Sequence, residues 1–141
     1  MLVYLKEARL FLETGLARMA AERATDADVA RLRQRLAEHG DAMLELDQFL
    51  PCDMAFHREI ALISGNPIFP AIVEGLFNWA SEYYQTIVRA PGVASLTLAE
   101  HQRIVEAIAA HDADGAALAM HDHLTRANAL YLSVATPAAA A

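Results

Sequence analysis

Cysteine is nearly absent: Cys52 is the only one in 141 residues. No disulfide can form within the chain, so the sequence predicts a reducing, cytoplasmic setting, with Cys52 a small buried or half-buried thiol. Basic residues are scarce as well. Lys and Arg total 11 against 18 Asp and Glu, a formal charge of -7. Affinity for nucleic acid rests on cationic side chains displacing condensed counterions, so a chain this acidic, without a basic stripe, is expected to repel DNA. No apolar run approaches the roughly 20 residues that a membrane span needs, and no membrane partner is expected. Lys6, Glu7 and Arg9 interrupt the first apolar stretch, which argues against a signal peptide. Alternating strand patterns, internal repeats and internal linkers are missing too. What is present is 55% hydrophobic and 21% charged residues, which excludes a chain disordered as a whole and suits one domain with a continuous core.

Helical periodicity runs throughout. Leu5, Ala8, Leu12, Leu16 and Met19 recur at three- and four-residue steps, which predicts a first helix over about 2–23. Thr25 with Asp28 has the spacing of a helix-start capping pair; Val29, Leu32 and Leu36 follow, and Gly40 is expected to close that helix. A third helical segment is expected over about 42–63, broken or kinked at Pro51. Asn66 reads as an N-cap with Pro67 at the first helical position of a helix continuing to about Val88, its first turn made unusual by Pro70. Thr97 to Glu100 reads as another capping box, opening a helix to about Ala110, and Asp112 as the cap of a last helix to about Val134. The expectation is an all-α antiparallel bundle of six or seven helices spanning 1–136, with a disordered tail over 137–141.

Four polar residues fall where these helices should be apolar. His101 shares a face with Ile104, Val105 and Ile108, and His123 lies in the series Ala116, Met120, His123, Ala127, Leu130. Asp53 and His57 are one turn apart, with Ile60 and Ala61 continuing their side. Three imidazoles and a carboxylate thus aim inward from three helices. A buried carboxylate is costly unless it is paired or bound to metal. Neutral imidazole with carboxylate suits a borderline divalent ion, Zn first, with Ni, Mn or Fe as alternatives. The competing reading is three hydrogen-bonded core histidines and a solvated Asp–His pair. His39, beside Gly40, is read as a cationic group at a helix C-terminus, His111 as part of a connection, and His121 as exposed on the polar side of the last helix.

The stretch Asp53-Met-Ala-Phe-His57-Arg-Glu-Ile, followed by Ser64-Gly65-Asn66, resembles the signature of the FadR-like ligand-binding (FCD) domain of GntR regulators. Glu100 to Ile108, Asp112 to Ala116 leading to Met120 and His123-Leu124, and Glu7-Ala8-Arg9 through Ala20 to Ala24 resemble that family's other blocks, in order, over nearly the whole chain. The resemblance implies a FadR C-terminal-domain-like fold, metal ligands at Asp53, His57, His101 and His123, and an effector-facing arginine at Arg9. For Arg9 an ordinary pair with Glu13 is the alternative; Asn66 could line the pocket, though capping explains it too. Arg126 and Tyr131 are further candidates. Asn66-Pro67-Ile68-Phe69 and the last helix are similar to members that respond to sialic acid or lactate.

Such regulators carry a winged-helix DNA-binding domain ahead of this region, and this chain starts where that domain would end. The expected function is therefore an effector-sensing and dimerisation domain, not an enzyme. It would bind a small organic or sugar acid at a buried metal, form a homodimer, and reach DNA only through a winged-helix domain that the chain does not contain. Two alternatives stay open: a metal-dependent enzyme on a helical bundle, and a metal-free dimerisation module.

Overall fold

Caps and amphipathic faces set the architecture of the computed structural model, which describes residues 1–135 and, within them, all side chains except those of 46, 84, 86–88 and 127–135. Among the described residues seven helices follow one another: α1 (Leu2–Arg23), α2 (Asp26–Asp41), α3 (Leu46–Ile63), α4 (Ile68–Trp79), α5 (Ser81–Val88), α6 (Val93–Ala109) and α7 (Ala113–Ala135). No strand occurs among the described residues, and the all-α expectation holds. Residues 137–141, expected as a tail, lie outside the described residues. No described helix is long and apolar enough to cross a membrane.

Local chemistry explains the starts. The Asp28 amide donates to Thr25 Oγ1 at 3.1 Å while the Thr25 amide donates to Asp28 Oδ2 at 2.9 Å, a reciprocal capping box. Asp112 Oδ1 accepts the Gly115 amide at 2.9 Å and opens α7. Asn66 Oδ1 accepts the Ile68 amide at 3.0 Å ahead of α4, but the N-cap position falls on Pro67, so Asn66 stands one residue further out than expected and Pro67 is not yet in the helix.

Other expectations are corrected. Pro51 does not break the segment: α3 runs through it. Only one amide is lost there, and its would-be acceptor, the carbonyl of exposed Asp47, can be met by water. Gly40 lies within α2, which ends at Asp41. The helix expected to reach Val88 is divided at Ala80, whose backbone (φ -101, ψ 5) leaves helical geometry. The helix expected to open at Thr97 begins a turn earlier, after Gly92 in the left-handed region at φ 79. Thr97 is therefore a buried residue inside α6, not a cap.

The core joins Leu16, Ala17, Ala20 and Ala21 of α1 to Leu32, Phe56, Ile60, Val73, Phe77, Ile104, Ile108, Ala116 and Met120. α1 packs along α7 and α3, and α2 covers α3 and α6. Fully buried alanines on α1 let its neighbours approach closely. Its inward stripe is Leu5, Arg9, Glu13, Leu16 and Ala20, whereas Ala8 is exposed. The expected stripe was rotated by about one residue, and the true one brings two charged side chains into the core.

Candidate metal centre

α3, α6 and α7 each turn a polar residue toward the same interior point, because each has its core-facing phase there. His101 is fully buried, His57 and His123 are 1% and 6% exposed, and donor atoms of these three lie within 4.8 Å of one another. The Asp53 side chain is 15% exposed, and its Oδ1 lies 3.4 Å from both His57 Nε2 and His101 Nε2. His101 Nε2 and His123 Nε2 are 3.2 Å apart. The four residues singled out by helical phase are brought together.

Two carboxylates hold the imidazoles from behind. His57 Nδ1 lies 2.5 Å from Glu13 Oε1, and His123 Nδ1 lies 2.9 Å from Glu100 Oε1. A carboxylate only accepts, so each Nδ1 carries a proton, and Nε2 is the nitrogen that each ring directs to the centre. His101 is held differently, with its ring stacked on Phe56 at 4.1 Å. Arg126 clasps Glu100 through Nε and Nη2, and Arg9 pairs with Glu13.

Charge follows from this packing. Burial disfavours ionised Glu13, but Arg9 and His57 outweigh it and lower its carboxyl to about 2. Burial likewise opposes ionised Asp53, yet the surrounding imidazoles, His57 first, hold it far below the carboxylate range. Burial pushes His101 well below the ordinary histidine value and lowers His123. For His57 burial is opposed by Glu13 and Asp53, and the balance is upward.

The site suits a divalent cation. Asp53 Oδ1 is buried without a hydrogen-bond partner, and it stands 3.4 Å from His101 Nε2, which is itself 3.2 Å from His123 Nε2; lone pairs so placed repel unless something positive stands between them. Ligand atoms at roughly 2.1 Å from an ion are about 3.0 Å apart in octahedral and about 3.4 Å apart in tetrahedral geometry. The observed 3.2 and 3.4 Å fall in that range.

Arg9 makes the expected pair with Glu13 and also reaches the edge of the centre. Its Nε bonds Glu13, its guanidinium lies 4.4 Å over Phe77, and its Nη2 comes within 3.4 Å of His57 Nε2, at the edge of the centre. Asn66 is exposed, spends its Oδ1 on capping, and is not among the side chains gathered at the imidazoles. Cys52 is half-buried and His121 is exposed, as expected. His111 sits in the α6–α7 turn at φ 56 and reaches Ala21 O at 2.9 Å through Nδ1. The side chain of Tyr131 lies outside those described.

Three residues at or beside the centre escaped sequence reasoning. Glu13 looked like a mere partner of Arg9, and Glu100 like a capping residue. His39 is corrected most: it is fully buried rather than a cation at a helix end, and burial lowers its pKa. A signal existed, because His39 follows Leu32 by seven and Leu36 by three, and so shares their inward face.

Comparison with known proteins agrees with this fold. The FCD domain model matches residues 5–126. The repressor NanR of Edwardsiella tarda is 38% identical over 131 residues, 87% of this chain and 48% of that protein. NanR of Escherichia coli K12 is 35% identical over 138 residues, 92% of this chain and 50% of its own. The chain thus spans about half the length of the curated relatives it matches. Among solved structures, Streptococcus agalactiae GntR superposes with a TM-score of 0.74 at 27% identity, covering 89% of this chain and 56% of that one. Escherichia coli McbR/YncC shares the fold, with a TM-score of 0.83 at 21% identity over 96% of this chain and 66% of the other. The curated relatives are transcriptional repressors, not enzymes. With the match running through every helix of the site, the chain belongs to the FCD domain family of GntR-type transcription regulators.

Proposed function

We propose that this domain senses a small organic or sugar acid at a divalent cation held by Asp53, His57, His101 and His123, zinc being the ion best suited. The observation that carries the reading is the convergence of three imidazoles and Asp53 Oδ1, with Glu13 and Glu100 fixing two of the rings. A cation with open positions supplies a Lewis-acid seat for carboxylate or hydroxyl oxygens. Arg9 is suited to hold the acid's other oxygens, because a guanidinium offers two parallel donors and its Nη2 already stands beside His57. Glu13 keeps Arg9 and His57 in register. Asn66 is at most a peripheral contributor, since it is exposed.

In the longer regulator, DNA would be contacted by a winged-helix domain outside this chain. Effector binding changes DNA affinity only by favouring one arrangement of the dimer. Phe11 on α1 and Leu118 on α7 are 86% and 60% exposed, an apolar surface on two packed helices that supports a homodimer. Elemental analysis of the purified protein and calorimetry with organic acids test the reading. Metal-loaded protein is expected to bind an acid that the Asp53→Ala variant does not; equal binding by both removes the metal from sensing. Dimers with neither metal nor acid affinity would favour a plain dimerisation module.

A further inference from the structure

His39 has no role in the centre described so far, yet it is fully buried at the end of α2. Its ring packs 4.1 Å from Phe49 and 5.1 Å from His101, centroid to centroid. Neither of its nitrogens has a hydrogen-bond partner. Leucine or phenylalanine would fill the same place without stranding two polar atoms. Nor is the shortage of partners general: of five buried side-chain polar atoms without one among the described residues, four belong to His39, Asp53 and His101. Donor atoms of these three residues lie within 4.8 Å of one another, as do those of His57, His101 and His123. The two triads share His101.

Resting on the metal-centre reading above, we propose that His39 is itself a metal ligand, acting together with Asp53 and His101. A divalent ion beside the shared ring satisfies one of the two stranded nitrogens of His39 and the stranded oxygen of Asp53 at once. Where one ion takes all four imidazoles and the carboxylate, octahedral geometry leaves it one open position. An acid is then expected to attach through a single oxygen, with its remaining oxygens directed to Arg9.

X-ray absorption of the intact zinc-loaded chain counts imidazoles per ion, and elemental analysis counts ions per chain. The expected result is scattering from more than three imidazoles on one ion, or a second ion per chain. His39→Leu, an apolar replacement suited to its surroundings, is expected to remove the extra imidazole or ion and to weaken binding in a chelator competition by at least about tenfold. His39→Gln repeats the test with a polar, uncharged side chain should leucine misfold. Three or fewer imidazoles on one ion in the unaltered chain overturn the proposal, as does unchanged metal content and affinity in a folded His39 variant. The metal-centre reading survives either result. Unaltered protein that takes up neither zinc nor cobalt overturns both.

Discussion

Glu13→Gln keeps the length of a buried side chain and removes its charge, which isolates the work of the carboxylate behind His57. Glu13 is 2% exposed and touches both Arg9 and His57 Nδ1. Its carboxyl is lowered from 4.5 to about 2, which corresponds to about 3 kcal/mol favouring the ionised folded form. Breaking a buried pair by removing one partner costs roughly 3–5 kcal/mol, a similar figure reached independently. Metal-free Glu13→Gln should therefore lose about 3 kcal/mol in urea denaturation at neutral pH. The sign is that of a depressed acid: the contribution is present above pH 4.5 and is lost as pH falls from there toward 2. Metal affinity should fall roughly 10- to 100-fold, the usual loss when a carboxylate behind a ligating histidine is replaced. The uncompensated Arg9 beside the centre favours the upper end. Competition with a chromophoric chelator reads that change. Glu106→Gln is the control, because Glu106 is 56% exposed and pairs only at the surface with Arg33 and Gln102. It should shift stability by no more than about 0.5 kcal/mol. A Glu13→Gln protein with metal affinity within twofold of the original would refute the role given to this carboxylate.

Three further outcomes are expected. Chelator-treated protein should melt about 10 °C below protein given zinc at a thousandfold excess over its dissociation constant, since such an excess stabilises by about 4 kcal/mol; superimposable melting curves would count against the site. Metal-free protein should lose stability as pH falls below 6.5, because burial holds His101 and His123 below their ordinary value and the unfolded chain takes up protons first. His57, shifted upward, acts oppositely, its contribution present at low pH and lost as pH rises, so a flat denaturation profile between pH 7.5 and 5 would mean it cancels the other two. Thr25→Ala should cost about 1 kcal/mol by removing the α2 cap while leaving metal affinity unchanged, which denaturation and metal competition check side by side.

Much of the centre was legible in the sequence, for a specific reason. His101 and His123 each interrupt an apolar stripe at helical spacing, and Asp53 with His57 sits one turn apart on a face continued by Ile60. A polar residue in such a place is conspicuous. Glu13 was not, because the stripe chosen for α1 ran through Ala8 and Leu12, and in that phase Glu13 faces solvent. Glu100 was hidden by Thr97, whose spacing imitates a capping box although the helix starts at Val93. His39 was hidden by Gly40, which imitates a helix end although α2 continues to Asp41. Pro51 was overweighted: one missing amide near the beginning of α3 is not enough to interrupt it. Each miss arose where a short local pattern had a second meaning that only packing between helices decides. That these groups meet at all depends on contacts between residues 44 positions apart in one case and 23 in another, which no periodicity reveals.

Arg9 and Glu13 ride on α1, a 22-residue rod of about 33 Å. Glu13 stands eleven residues from the rod's first residue, Leu2, a lever arm of about 16 Å. If the fulcrum lies at that carboxylate, rocking of about 5° sweeps the far end through about 1.4 Å. Such a tilt would carry an event at His57 to the first turn of α1 as a change of direction, without unwinding a turn.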